Sequence, residues 1–319
     1  MPSHGEGEFP AHGPAPARRR LLLVAAPRRL DSVTARRRIA AHLGEMDLVE
    51  ESGGREEREW SGRVAGRPDA ALVCDLPAVA QELTERGVPV VYLHSGHRSQ
   101  ALPAVAAATV RVHAPPWLPL PRSMGPDGAR PTGPLAPVRL ARDRARTGCL
   151  LLVSAHRVPG HDLAAFAEGP LRALAEEAVR HTGRCDVVCD GEATIAAAAL
   201  AHTACVHVHD AATADVDALH AAARVFIASP TLTALTLAQS RRAPLALLPP
   251  LDHDQDDLAR RALQAVRLPT VHDPTDPALW APSDADARAA WSGLGPDDLR
   301  GAQRVARTLR QLALAPIAF

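Results

Sequence analysis

Between Cys149 and Val266 the chain alternates short, largely apolar runs with stretches of helical character. The runs are Cys149–Val153, Cys185–Cys189, Ala204–His209, Val225–Ala228 and Pro244–Leu248. The helical stretches are Leu163–His181, Ala193–Ala201, Val216–Ala223, Leu232–Ser240 and Asp256–Val266. A run with no polar alternation is a strand buried on both faces, and the intervening helices supply the two covers. The pattern therefore predicts α/β structure with parallel sheets and helices on both faces. The first half repeats it at lower contrast. Strands are expected at Leu21–Ala26, Leu48–Val49, Ala70–Cys74, Val88–Leu93 and Thr109–His113, with helices at Ser32–Leu43 and Leu76–Arg86. A last helix, Pro296–Leu314, carries Leu299, Val305, Leu309 and Leu312 near helical spacing.

Eight prolines between Pro115 and Pro137 exclude a helix interior or a central strand there. The chain then divides into a disordered tail 1–17, an N-terminal Rossmann-like domain 18–114, a Pro-rich linker 115–140 and a C-terminal Rossmann-like domain 141–295. The helix 296–319 is placed to pack back on the first domain. The polar stretch Glu50–Pro68 reads as a mobile loop. Two such sheets in one chain point to two facing domains, with ligands at the carboxyl ends of the strands, in the cleft.

Composition narrows the chemistry. The 319 residues include no Lys and no Asn, so all 36 cationic side chains are Arg. Such a bias fits a high-GC bacterial gene. It removes the Walker-type P-loop, the Schiff-base lysine and the N-glycosylation acceptor. Net charge is +0, which argues against a nucleic-acid partner. The five cysteines form no Cys-x-x-Cys pair and read as buried free thiols of a cytoplasmic protein. No run approaches the ~18 apolar residues of a membrane span.

Several residues lie where a cleft is expected. Ser229-Pro230-Thr231 follows a strand and opens a helix, with Ser229 as the expected cap and Pro230 as the first helical residue. Free N–H groups and the dipole at such a start suit a phosphate. Ser154, His156 and Arg157 end the first strand of the second half, and Arg157 can grip an anion as a fork. Tyr92-Leu93-His94-Ser95-Gly96-His97-Arg98 ends a strand of the first half, so His94 and His97 are candidate bases. Asp31, at the head of the first helix, is another base or a plain cap. Asp75 faces the cleft or caps the next helix. His207 and His209 have the i,i+2 spacing of a strand, but no carboxylate or Cys cluster completes a metal site, so none is expected.

The order of Val225 to Ala262 resembles the nucleotide-sugar donor half of GT-B glycosyltransferases. Asp254-Gln255-Asp256-Asp257-Leu258-Ala259-Arg260-Arg261 is similar to that family's Asp-Gln-x-x-Asn-Ala-Arg-Arg, while its Gly-x-Pro reads Arg242-Ala243-Pro244 and its Gly-rich turn is replaced by Ser229-Pro230-Thr231-Leu232-Thr233. Leu21–Val33, Val90–Arg98 and Ala228–Ala238 together resemble proteins related to cytosylglucuronic acid (CGA) synthase. That resemblance implies transfer of a sugar, such as glucuronic acid from UDP-glucuronate, to a small acceptor such as cytosine, without a metal or other cofactor. The partners implied are a small-molecule donor and acceptor. Donor contacts are implied at Ser154, His156, Arg157, His209, Ser229, Thr231, Thr233, Asp254 and Gln255, and anion contacts at Arg157 or Arg242. Asp31, His94 and His97 are the candidate bases. Two further departures decide between readings: Leu237 stands where the family has a ribose-binding Glu, and Leu258 replaces its Asn. If both point into the cleft and close it, the chain is a non-catalytic GT-B scaffold that binds a nucleotide or partner enzyme. A nucleotide-sugar 2-epimerase of the same fold is the third reading.

Overall fold

The computed structural model describes residues 19–52, 66–95, 108–119, 130–294 and 298–315. The first series of elements is β1 (Arg20–Ala25), α1 (Leu30–Ala40), β2 (Asp47–Ser52), β3 (Ala70–Cys74), α2 (Pro77–Glu85), β4 (Val90–Ser95), β5 (Thr109–His113) and β6 (Arg130–Pro131). The second begins with β7 (Cys149–Val153) and α3 (Gly160–Phe166), followed by a π-turn at Ala167–Leu171 and by α4 (Arg172–Thr182). Then come β8 (Cys185–Cys189), α5 (Ala193–Leu200), β9 (Val206–Asp210), α6 (Val216–Ala222), β10 (Val225–Ala228), α7 (Leu232–Arg241), β11 (Ala246–Leu247) and α8 (His253–Ala265). The described chain closes with α9 (Pro277–Trp280), α10 (Asp284–Ser292) and α11 (Gly301–Leu314).

All named strand pairs are parallel. The first sheet has the order β2-β1-β3-β4-β5-β6 and the second β11-β10-β7-β8-β9. The order reverses between β1 and β3 in one sheet and between β7 and β10 in the other. These are the switch points at which open α/β sheets leave a crevice for ligands. The expected architecture of two Rossmann-like domains is therefore present. β6 lies within the proline-rich stretch and joins the sheet only at its edge, where a proline's missing N–H breaks no ladder.

The cores follow the burial of the apolar runs. Every residue of β3, β7, β8 and β10 is buried. The last helix, α11, buries Ala302, Val305, Ala306, Leu309 and Ala313 against Leu21, Leu23 and Leu72 of the first domain.

Several expectations change in detail. The single helix expected over Leu163–His181 is interrupted by the π-turn around Pro170, whose missing N–H cannot continue the α ladder. α9 and α10 had no sequence expectation; they are anchored by buried Trp280 and Trp291, whose indole nitrogens donate to Pro274 and Ala243 carbonyls at 2.9 Å. Cys205 is exposed, unlike the other four cysteines. No described helix is long and apolar enough to cross a membrane.

Candidate functional site: a latched interdomain cleft

The two switch points face each other. Arg29, Asp31, Asp75 and Ser95 of the first domain and Ser154, His156, Arg157, Asp190, Thr231, Asp254 and Gln255 of the second line one cavity. Its volume is about 40 Å³, room for a few waters at roughly 10–15 Å³ each.

The cleft is closed by two reciprocal carboxylate caps. Asp31, in the first turn of α1, accepts from the backbone N–H of Leu232 at 3.1 Å and of Thr233 at 2.7 Å. These are the first two N–H groups of α7. The third, from Ala234, is taken by Thr231 Oγ at 3.1 Å. In return Asp190, at the end of β8, accepts from the N–H of Leu30, the first residue of α1, at 2.9 Å. Each domain thus places an anion on the positive end of the other domain's helix. Arg29 adds a bond from Nε to His156 Nε2 at 3.0 Å, and Arg28 pairs with Glu192.

Asp190 is the most heavily used of these groups. Besides Leu30 it accepts from Ala155 N at 2.6 Å, His156 N at 3.0 Å and Ser154 Oγ at 2.9 Å. Burial pushes its carboxyl up to about 6, although four donors act in the opposite direction. Gly191, at φ +76, lets the next peptide pass the β7 loop; a Cβ there would meet the Ala155 backbone at 3.2 Å.

The first domain has its own buried carboxylate. Asp75 accepts from Ser95 N at 2.7 Å and Ser95 Oγ at 2.6 Å, and it also accepts from Ser32 Oγ. His94 Nδ1 lies 3.6 Å from it. Asp75 holds φ +58, an unusual conformation for a non-glycine residue and one often found at functional positions. Between the two readings of Asp75 the cleft is the one realised: α2 is capped by Leu76 without a side-chain bond.

The structure brings most candidate residues together and separates others. Thr231, not Ser229, caps α7, two residues later than expected, because Ser229 Oγ is taken by Ser154 N at 3.0 Å. Ser229 is fully buried behind the cavity wall. Gln255 spends its amide on shape: Nε2 donates to Ser154 O at 2.8 Å and Oε1 accepts from Leu251 N at 3.2 Å. Asp254 lines the cavity, in a helix that starts three residues before the expected Asp256 because Asp252 caps it through Gln255 N at 2.8 Å. Arg157 is exposed on the lining at φ +69. His209 does not reach the cleft; its Nε2 lies 2.9 Å from Asp186 on the neighbouring strand. Arg242 is the left-handed C-cap of α7, at the far end of the helix from the cleft, so it cannot meet a ligand held at the N-terminus. His97 lies outside the described residues. Among the described residues no three His, Cys, Asp or Glu side chains gather as a metal site would need.

The two leucines on which the scaffold reading turned do not enter the cleft. Leu237 and Leu258 are both fully buried in the same core, with Leu150, Leu152 and Phe226. Leu237→Ala is therefore expected to cost about 2–5 kcal/mol of stability and to leave ligand affinity of the folded protein unchanged, as urea denaturation and calorimetry would show.

Sequence reasoning passed over Asp190. The signal was present: Val73-Cys74-Asp75 and Val188-Cys189-Asp190 are the same tripeptide at the carboxyl end of a strand in each domain, the position from which open sheets present polar groups to ligands.

Comparison with known proteins agrees with this fold. A family model described as "CGA synthase-related protein" matches residues 21–317. Among solved structures, the calicheamicin glycosyltransferase CalG4 is similar at 14% identity and a TM-score of 0.51, covering 94% of this chain and 100% of that one. The glycosyltransferase SnogD from Streptomyces nogalater is similar at 17% identity and a TM-score of 0.50, covering 92% and 99%. No curated protein matches this sequence. The chain therefore has the GT-B fold.

Proposed function

The chain belongs to the CGA synthase-related protein family, and from that premise we propose that it is a glycosyltransferase that takes its sugar from a nucleoside diphosphate donor. One observation carries the reading. The N–H groups of Leu232 and Thr233 already hold an anion, the Asp31 carboxylate, at the switch point of the second sheet. A helix N-terminus at that place suits a diphosphate. Donor binding would exchange the internal anion for the ligand's phosphate.

The exchange also frees Asp31 at the mouth of the cleft. There it can take a proton from the acceptor as the acceptor attacks the anomeric carbon. The bond from that carbon to the diphosphate breaks, and the charge of the departing nucleotide is met by the α7 N–H groups, with no metal required. His94, supported by Asp75, is the second candidate for the base. Asp254 and exposed Arg157 line the cleft; in this reading Asp254 meets sugar hydroxyls and Arg157 a carboxylate on the sugar. The donor that fits best is a uronate such as UDP-glucuronate, with a small acceptor such as cytosine.

The test is a panel of UDP- and dTDP-sugars, scored by thermal shift and then by release of nucleotide and glycoside with small acceptors. Arg157→Ala is expected to weaken UDP-glucuronate at least tenfold, about 1.4 kcal/mol, and to leave UDP-glucose unchanged. No shift with any donor would sink the reading. A second reading, a scaffold without turnover, is favoured by the narrowness of the cleft, about 40 Å³, since drug-sized ligands occupy roughly 300–1,000 Å³. Donor binding without any product would select it.

A further inference from the structure

The latched cleft is not the largest space between the domains. Toward the other end of α1 lies a groove of about 480 Å³, lined by Thr34, Arg37 and Arg38 of that helix, Arg139 of the interdomain connection, the loop leading into α6, and Arg241 at the end of α7. Its size falls in the range of small-ligand sites.

The charges of the groove do not balance. Four arginines and two aspartates, Asp215 and Asp217, line it. Asp217 is claimed by Arg38 through bonds of 2.6 and 3.1 Å. Asp215 caps α6, accepting from Ala218 N at 2.9 Å. Arg139 pairs with Asp143 at 2.7 Å, outside the groove lining. Arg37 and Arg241 are half-buried, and the hydrogen bonds they make go to neutral acceptors only. Arg37 donates to the carbonyls of Ala212 and Ala214. Arg241 donates to the carbonyls of Asp217 and Arg139 at 2.8 Å and meets His220 Nδ1 at 2.8 Å. His220 is no anion, and burial together with Arg241, Arg142 and Arg38 holds it neutral by driving its pKa well down. Burial and neighbouring arginines also lower Arg241, to about 10, and lower Arg37. Partly buried cations are ordinarily paired, because desolvation is otherwise uncompensated. Here two guanidinium groups from different domains make no direct ion pair, and the nearby carboxylates, Asp215 beside Arg37 and Asp217 beside Arg241, only partly offset their burial.

We propose that this groove binds a phosphorylated small molecule about the size of a nucleoside monophosphate, its phosphate between Arg37 and Arg241 and its organic part on the apolar lining near Val138 and Val216. Such a ligand touches both domains and the connection between them, so it stiffens their closure. The site is separate from the cleft, and the proposal does not depend on glycosyl transfer.

Calorimetric titration of the full chain at low salt with UMP, pyrophosphate and inorganic phosphate tests it. Saturable binding of UMP is expected, weakened at least tenfold by Arg37→Ala and by Arg139→Glu. The exposed position of Arg139 keeps the test open if Arg37→Ala fails to fold. UMP binding stronger than phosphate supports an organic ligand, and equal binding supports the anion site with free phosphate as its occupant. No binding of any probe, or binding that ignores both groove variants, overturns the proposal.

Discussion

Asp31→Ala will bind UDP or dTDP more tightly than the wild-type chain, by about tenfold or more, while losing turnover. The two effects have opposite signs because Asp31 has two roles in the proposed cycle. In the closed protein its carboxylate occupies the N–H groups of Leu232 and Thr233 at 3.1 and 2.7 Å. A nucleotide must displace it, and hydrogen bonds to a charged group are worth roughly 1.5–3 kcal/mol each. Removing the competitor removes that opposing term, much as a preorganising mutation raises the population of the binding-competent state. A missing general base costs about 10²–10⁴ in rate. Asp31→Asn is the control: it keeps the shape and one acceptor oxygen but no charge, so its affinity should fall between the two. Calorimetry with the free nucleotides and a product assay measure both arms. Weaker nucleotide binding in Asp31→Ala would show that the carboxylate supports the ligand instead of standing in for it.

The second large effect belongs to Asp190. Asp190→Ala leaves four donors, from Leu30, Ala155, His156 and Ser154, without their acceptor in a buried place. The expected loss is about 3–5 kcal/mol in urea denaturation. Its titration adds a pH signature. Burial raises the folded carboxyl from 3.8 to about 6. A raised folded pKa means that the folded state holds the proton more tightly, so this contribution is full below about pH 4 and is lost as pH rises through about 6. At one pKa unit per 1.36 kcal/mol the loss is about 3 kcal/mol. Asp186 and Asp217 shift the other way, so their contributions fade only as pH falls below the ordinary carboxylate range. His220, held neutral by burial, also contributes a pH dependence between pH 4.5 and 7.5, but it is common to wild type and Asp190→Asn, so the difference between the two chains isolates Asp190. The stability gap between them should narrow across this interval, and a gap that is constant or widens would show that Asp190 stays ionised throughout.

Fold and site were legible in the sequence to different degrees. Ala70–Cys74, Thr109–His113, Cys149–Val153, Cys185–Cys189 and Val225–Ala228 were read at their observed bounds; the most apolar of them, such as Ala70–Cys74 and Cys149–Val153, are runs between short flanks that have few other solutions. α9 and α10 escaped because they are short, and two tryptophans anchor them through contacts distant in sequence. The Ser229-Pro230-Thr231 turn was placed correctly, but its cap was not. Local propensity favoured Ser229, and a tertiary bond from Ser154 took that hydroxyl. The same limit governs the site. Asp31 was legible as a cap or a base, yet the helix it caps in this structure lies 201 residues away in the chain. No local pattern encodes that pairing. The two leucines that departed from the family pattern drew attention to themselves, but burial in the second core explains them, and the closure comes from carboxylates.

The most direct measurement is a crystal structure of the chain with UDP or dTDP. The expected result has a phosphate of the nucleotide within hydrogen-bond distance of Leu232 N and Thr233 N, with Asp31 withdrawn from both and the cleft opened. A nucleotide bound elsewhere while Asp31 still caps α7 would contradict the assignment of that helix end as the donor site.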